Sequence, residues 1–258
     1  APFGAKKTRW LHLRGTSLLN EVSGRRKRKK RDFSKDFSKT MNSCTIQSSA
    51  LMCLTRDNSF TNHFEQVKTL LQTGAKLIQL RSKSIPRPDL YEQAKRAADL
   101  CKKHNCTLII NDDYNLAKSI DADGVHVGID DAPIDLIRKE LPKGKLIGKT
   151  VHSIDEAKLA LIEKPDYVGL GPYKLSYTKK NLHPTLNEED IKQIVDILSP
   201  FPIFLIGGLS INDFYLIEKF GIQGLAFCSA LFSQNCKSTN MKDIIQKSLE
   251  YVNLPSFS

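Results

Sequence analysis

Between residues 50 and 230 the chain repeats one unit eight times, a short continuously apolar run followed by an amphipathic stretch. The runs are Ala50–Thr55, Leu77–Arg81, Thr107–Asn111, Gly124–Gly128, Lys145–Val151, Tyr167–Gly171, Pro202–Gly208 and Gly224–Ala230. Strands that are apolar at every position, rather than at every second one, are buried on both faces, as in parallel sheets covered by helices. Helical spacing follows the first run in Phe60, Phe64, Val67 and Leu71, and Gly74 stops it. Leu90, Ala94, Ala97 and Leu100 mark the second helix. Further helices are expected near Asn115–Ile120, Pro133–Leu141, Glu188–Leu198 and Asp243–Val252. Ser153-Ile-Asp-Glu156 and Ser210-Ile-Asn-Asp213 are helix-start signals. Eight such units in about 210 residues predict an α/β chain folded as a single small (β/α)8 TIM barrel. An open doubly wound sheet needs fewer strands or an obvious switch point.

The net charge of +11 suggests a nucleic-acid partner until it is located. Residues 1–40 hold 13 Lys and Arg against three acids, leaving 26 basic and 25 acidic side chains in the rest. The barrel is thus nearly neutral, and no nucleic-acid partner is expected for it. The block Arg25–Arg31 repels itself, and residues 1–45 are expected to be a disordered basic extension before a catalytic domain at 46–258. It reads as a nucleic-acid patch, as a targeting segment, or as an extension outside the working protein with Met41 as the start; the last is favoured because periodic structure begins only near Ser48. No run approaches a membrane span. Cys44, Cys53, Cys101, Cys106, Cys228 and Cys236 form no CxxC pair and read as reduced thiols of a cytoplasmic protein.

Chemistry in such barrels sits at the C-terminal strand ends. Those ends read Gln79-Leu-Arg81-Ser-Lys83, Asn111-Asp112-Asp113, His126 with Asp130-Asp131, Thr150 with His152, Gly171-Pro172, the loop Ser176–Lys180, Gly207-Gly208 and Cys228-Ser229. Anion binders and carboxylates dominate, and no nucleophile is paired with a base. Gly207-Gly208 and Ser229 follow the last two strands, the usual phosphate position, although Gly-Gly alone is also a simple tight turn. Arg81, Lys83 and Lys179 bring three cations to one mouth, enough for two phosphate-bearing partners. Asp112 and Asp131, on neighbouring strands, can share one Mg2+ whose octahedron diphosphate oxygens and waters complete. Asp113 and Asp130 fit a cap or turn role. His126, between two valines, fits a core histidine better than a catalyst, and His152 is similarly weak.

Taken together, these motifs resemble the thiamine phosphate synthase family from about Ala50 to Phe232. The resemblance is carried by Gln79-Leu-Arg-Ser-Lys83, Ile110-Asn-Asp112, Ala122-Asp-Gly-Val-His-Val-Gly-Ile-Asp-Asp131, Gly169-Leu-Gly-Pro172 and Thr178-Lys-Lys180, in the family's order and spacing. It implies condensation of a hydroxymethylpyrimidine diphosphate with a thiazole phosphate, by loss of diphosphate and attack of the thiazole nitrogen on a pyrimidine-methyl cation. On that basis Gln79, Arg81, Lys83, Asn111, Thr150 and Lys179 hold the pyrimidine diphosphate, with Arg81, Lys83, Lys179 and Thr150 aiding its departure. Asp112 and Asp131 hold Mg2+. Ser176, Tyr177, Thr178, Gly208, Cys228 and Ser229 hold the thiazole phosphate. Ser82, Leu175-Ser176-Tyr177 and Cys228 depart from the family's common residues and bear on affinity more than on reaction type. The related thiazole tautomerases carry His directly after the sixth-strand glycine, where this chain has Pro172. A noncatalytic phosphate- or nucleic-acid-binding protein has less need of the carboxylate pair.

Overall fold

The computed structural model describes residues 46–57, 59–174, 184–199, 201–232 and 238–252. Eight strands alternate with helices through them: β1 Leu51–Leu54, α1 His63–Gln72, β2 Leu77–Leu80, α2 Arg87–Lys103, β3 Thr107–Asn111 and α3 Tyr114–Ser119. The order continues with β4 Gly124–Val127, α4 Ile134–Glu140, β5 Leu146–Val151, α5 Ile154–Glu163, β6 Tyr167–Leu170 and α6 Glu188–Leu198. It ends with β7 Ile203–Ile206, α7 Leu216–Phe220, β8 Gly224–Phe227, α8 Ser229–Phe232 and α9 Ser238–Val252. The strands pair in parallel in chain order, and β8 closes on β1 through Leu51↔Leu225, Met52↔Ala226 and Cys53↔Phe227. The expected barrel is present. Among the described residues no helix is long and apolar enough to cross a membrane.

Each strand places alternate residues on opposite faces, which sorts the core into two layers. The outward residues, such as Ile78, Leu80, Val125 and Leu205, pack against the helices. The inward residues Met52, Leu54, Leu77, Ile109, Leu146, Tyr167, Phe204 and Ala226 fill the barrel together with Ile46. Ile46 is 1% exposed, so the barrel interior already includes the first described residue. At the N-terminal ends, Asp123 accepts from the Leu108 N–H at 2.8 Å and Asp166 from the Ile147 N–H at 2.7 Å. Each carboxylate thereby ties the start of its strand to the strand before.

Room for Tyr167 and His126 comes from glycine. A Cβ on Gly148 would lie 2.2 Å from the Tyr167 ring and 2.4 Å from His126 Nδ1. Both rings are buried, so neither can move away without a void elsewhere. Gly148→Ala is therefore expected to destabilise the barrel by about 1–3 kcal/mol. Urea denaturation checks this, and an unchanged midpoint would show that the layer yields.

Helix starts follow their caps. Asn62, Asp113 and Asn187 accept from the backbone N–H three residues on. The Ser153 signal is half a capping box. Ser153 accepts from Glu156 N–H at 3.2 Å, but Glu156 turns back to the His152 N–H at 2.8 Å rather than to the cap residue. Ser210 and Asp213 form a full box on a short 3-10 turn, Ile211–Asp213, ahead of α7. The last helix begins at Ser238, earlier than its apolar spacing from Asp243 suggests.

Candidate active site

Extending the inward parity past each strand's last core residue selects the side chains at the mouth. On β2 it runs Leu77, Gln79, Arg81; on β3, Ile109, Asn111; on β5, Leu146, Gly148, Thr150. On β7 it runs Phe204, Ile206, and on β8 Ala226, Cys228. Gln79, Asn111 and Thr150 thus lie on the interior side of one barrel end, Cys228 packs against the inner layer there, and Arg81 and Gly208 follow the ends of β2 and β7.

Below them a polar layer crosses the barrel. Gln79 is 3% exposed and donates to Met52 Sδ at 3.4 Å, and the fully buried Tyr167 ring lies in the same interior layer. The Tyr167 hydroxyl lies 3.1 Å from His126 Nδ1, and His126 Nε2 lies 2.8 Å from Thr150 Oγ1. Burial pushes the Tyr167 phenol up, so it stays neutral. His126 accordingly takes a core place beneath the mouth, joining the Tyr167 hydroxyl to the Thr150 hydroxyl. Tyr167 was missed as a functional residue, although the inward parity of its strand points to it. His152 is tied to Glu156, with Nδ1 and Oε2 3.0 Å apart.

The carboxylates sit where β3 and β4 end. Asp112 has φ 63°, a left-handed conformation that Asp tolerates, and its N–H donates to the His126 carbonyl at 2.7 Å. Its carboxylate is half-buried and pairs with the Lys83 ammonium. Burial pushes its pKa up, Lys83 pulls it down, and Asp131 beside it pushes it up again. Asp131 also accepts from the Gly128 N–H at 2.7 Å, which fixes its loop. Asp113 caps α3 and pairs with Arg87 at 3.1 Å, and Asp130 is exposed in the turn, as their decoy roles require.

Among the described residues no three His, Cys, Asp or Glu side chains converge as a metal cage. The pair Asp112 and Asp131 nevertheless suits Mg2+. Two adjacent carboxylates, one disfavoured in its charged form by burial and by the other, call for a shared cation. Mg2+ is commonly held by one or two carboxylates with substrate phosphates and waters.

Gly207 and Gly208 have φ 115° and 60°, left-handed values that glycine adopts without strain. Gly207 also cannot carry a Cβ, which would lie 2.8 Å from the Pro172 backbone. Lys174, 5.3 Å above the Tyr173 ring, reaches the buried Asp213 at 2.7 Å. Ser229 opens α8, and the half-exposed Cys228 thiol lies at the mouth, 3.9 Å from the Thr55 carbonyl. Ser176, Tyr177, Thr178 and Lys179 lie outside the described residues.

Sequence reasoning also missed a cluster at the end of β1. Thr55, Asp57 and His63 are linked to one another and to the Gln79–Lys83 segment. No local motif marks them, because their partners lie about 25 positions further along the chain.

Comparison with known proteins agrees with this geometry. Residues 51–231 match the family model described as thiamine monophosphate synthase. The chain is 35% identical over 175 residues to a thiamine-phosphate synthase of Fusobacterium nucleatum, covering 67% of this chain and 84% of that protein. It is 35% identical over 198 residues to that of Dictyoglomus thermophilum, covering 76% of this chain and 88% of that protein. A solved structure of thiamine phosphate pyrophosphorylase from Pyrococcus furiosus superposes with a TM-score of 0.71 at 26% identity, covering 81% of this chain and 99% of that one. The chain belongs to the thiamine monophosphate synthase family and is a transferase of thiamine biosynthesis.

Proposed function

We propose that the barrel mouth joins a hydroxymethylpyrimidine diphosphate to a thiazole phosphate, giving thiamine phosphate and diphosphate. The observation that carries this is the set of inward polar side chains, Gln79, Asn111 and Thr150, gathered at one barrel end where Arg81 and the Lys83–Asp112–Asp131 cluster follow the strands. Gln79, Arg81, Lys83, Asn111 and Thr150 hold the pyrimidine diphosphate, and Lys179 joins them on the strength of the sequence resemblance. Gly208, Cys228 and Ser229 hold the thiazole phosphate, with Ser176, Tyr177 and Thr178 assigned on the same ground. Asp112 and Asp131 hold Mg2+, which supplies charge neutralisation on the departing diphosphate.

The protein's own part is positioning and electrostatics. The pyrimidine C–O bond breaks, and the electron pair leaves on the diphosphate. Arg81 and Lys83 stabilise that growing charge, Arg81 as a rigid fork and Lys83 as a point charge. The thiazole nitrogen lone pair then forms the new C–N bond. No protein nucleophile is needed for these two steps. A tautomerase reading asks for a proton-transfer group at position 172, where Pro172 offers none. An assay with both substrates tests the proposal, and absence of thiamine phosphate would overturn it.

We also propose that residues 1–45 lie outside the catalytic domain and that the protein works in the cytoplasm. Support for the first comes from Ile46, already buried in the barrel. Removing residues 1–40 is expected to leave kcat/KM within about twofold, and a lost activity would contradict it. For the second, Cys53, Cys101 and Cys106 are buried thiols outside any disulfide, and burial pushes Cys53 up to about 12. Such inert, reduced thiols suit a reducing compartment. Cell fractionation checks this.

A further inference from the structure

The loop after β2 delivers Arg81 and Lys83, yet little in its own sequence fixes it. Residues 81–86 contain no regular element. What holds the loop comes from the end of β1. Asp57 accepts from the Lys83 backbone N–H at 2.6 Å and from the Ser82 hydroxyl at 2.7 Å. Its third bond is to His63 Nε2 at 3.0 Å. Thr55 Oγ1, fully buried, accepts from the Arg81 N–H at 3.0 Å and lies 2.7 Å from His63 Nδ1.

For a neutral imidazole facing the Asp57 carboxylate, these bonds admit one consistent assignment. The Thr55 hydroxyl donates to Nδ1, which makes Nε2 the protonated nitrogen and the donor to Asp57. His63 is 1% exposed at its side chain, and burial pushes its pKa down, which favours that neutral tautomer. The Asp57 carboxylate, by contrast, is held below its ordinary value by the bonds from Lys83, Ser82 and His63, against the opposing effect of burial. A carboxylate accepting three bonds, one from a buried ring locked at its far side, is a fixed post. The imidazole in turn is anchored by α1, whose first residue it is.

We infer that Asp57, braced by His63 and Thr55, is a positioning residue that sets the Arg81–Lys83 segment to receive the diphosphate. It acts through the backbone N–H of Lys83 and the hydroxyl of Ser82, and touches no reacting atom. The inference rests on the proposed reading of Arg81 and Lys83 as diphosphate holders. Its chemical logic is that a flexible lysine and an arginine bind a dianion well only when their backbone is already in place. The Lys83 ammonium reaches Asp112 from this fixed turn, which links the β1 cluster to the carboxylate pair.

The test is Asp57→Asn in the full chain. An amide there sets an N–H against one of the donors that the carboxylate now accepts, at nearly the same volume. The KM for the pyrimidine diphosphate is expected to rise about tenfold, while the KM for the thiazole phosphate stays within about twofold. Affinity for inorganic diphosphate in Mg2+, measured by calorimetry, is expected to fall by a similar factor. A merely structural role would instead shift both KM values together with the melting temperature. Ser82→Ala removes one bond to Asp57 without disturbing the buried pair, and is expected to act in the same direction by about twofold to threefold. It serves where Asp57→Asn fails to fold. Unchanged diphosphate affinity in the variants overturns the positioning role. A wild-type protein that binds diphosphate but makes no thiamine phosphate overturns the proposed reaction instead, and the calorimetric difference between wild type and variant still decides the role of Asp57.

Discussion

Asp112→Asn is expected to lower kcat/KM for thiamine phosphate formation by about two to three orders of magnitude, with the melting temperature within about 3 °C of wild type. The two halves of that expectation have separate causes. The carboxylate is the group just past β3 proposed to hold Mg2+, and an amide is a far poorer ligand for a hard cation. Folding, however, gains little from the charge. Burial and the neighbouring Asp131 both push the Asp112 pKa up, which means that its ionised form is disfavoured in the folded protein. Its ion pair with Lys83 is half-exposed on the lysine side, and such pairs contribute about 0–1 kcal/mol. The left-handed φ of 63° also suits Asn as well as it suits Asp. Full activity in the variant, checked alongside thermal denaturation, would contradict the assignment. Unfolding of the variant would contradict the claim that this carboxylate serves the site rather than the fold.

Removing Mg2+ should have the second large effect. With EDTA in excess, turnover is expected to drop at least about a hundredfold and to return on adding Mg2+ back. The physical reason is the charge at the mouth. Asp112 and Asp131 face a partner that is itself strongly anionic, and Lys83 offsets only part of their charge. Unit charges of like sign about 4 Å apart repel by several kcal/mol in a partly buried site, so a bound diphosphate calls for a divalent cation between them. Turnover that ignores chelation would show that the two carboxylates serve another purpose.

The fold was legible because the barrel writes itself into the sequence as runs apolar at every position. The observed strands Leu51–Leu54 and Leu77–Leu80 are the cores of the runs at 50–55 and 77–81. Gly74 has φ 96° and ends α1 as its position suggested. The positions proposed for the mouth were legible to the extent that they fall in the last residues of those runs, as Gln79, Arg81, Asn111 and Thr150 do. Parity adds which of them face inward, and it extends the set to His126 and Tyr167. The cluster of Thr55, Asp57 and His63 was not legible, for a reason of scale. Its bonds join the end of β1 to the end of β2, and only strand pairing in three dimensions brings them together. The Glu156 carboxylate shows the same limit at short range. The spacing from Ser153 identified the helix start, while the choice of the His152 N–H over the cap's own was settled by local geometry.

The most direct measurement is an assay of purified full-length protein with hydroxymethylpyrimidine diphosphate and thiazole phosphate in Mg2+, following both products. The account predicts thiamine phosphate and diphosphate in equal amounts, formed only when both substrates are present. Diphosphate released without thiamine phosphate, or no turnover at all, would contradict it.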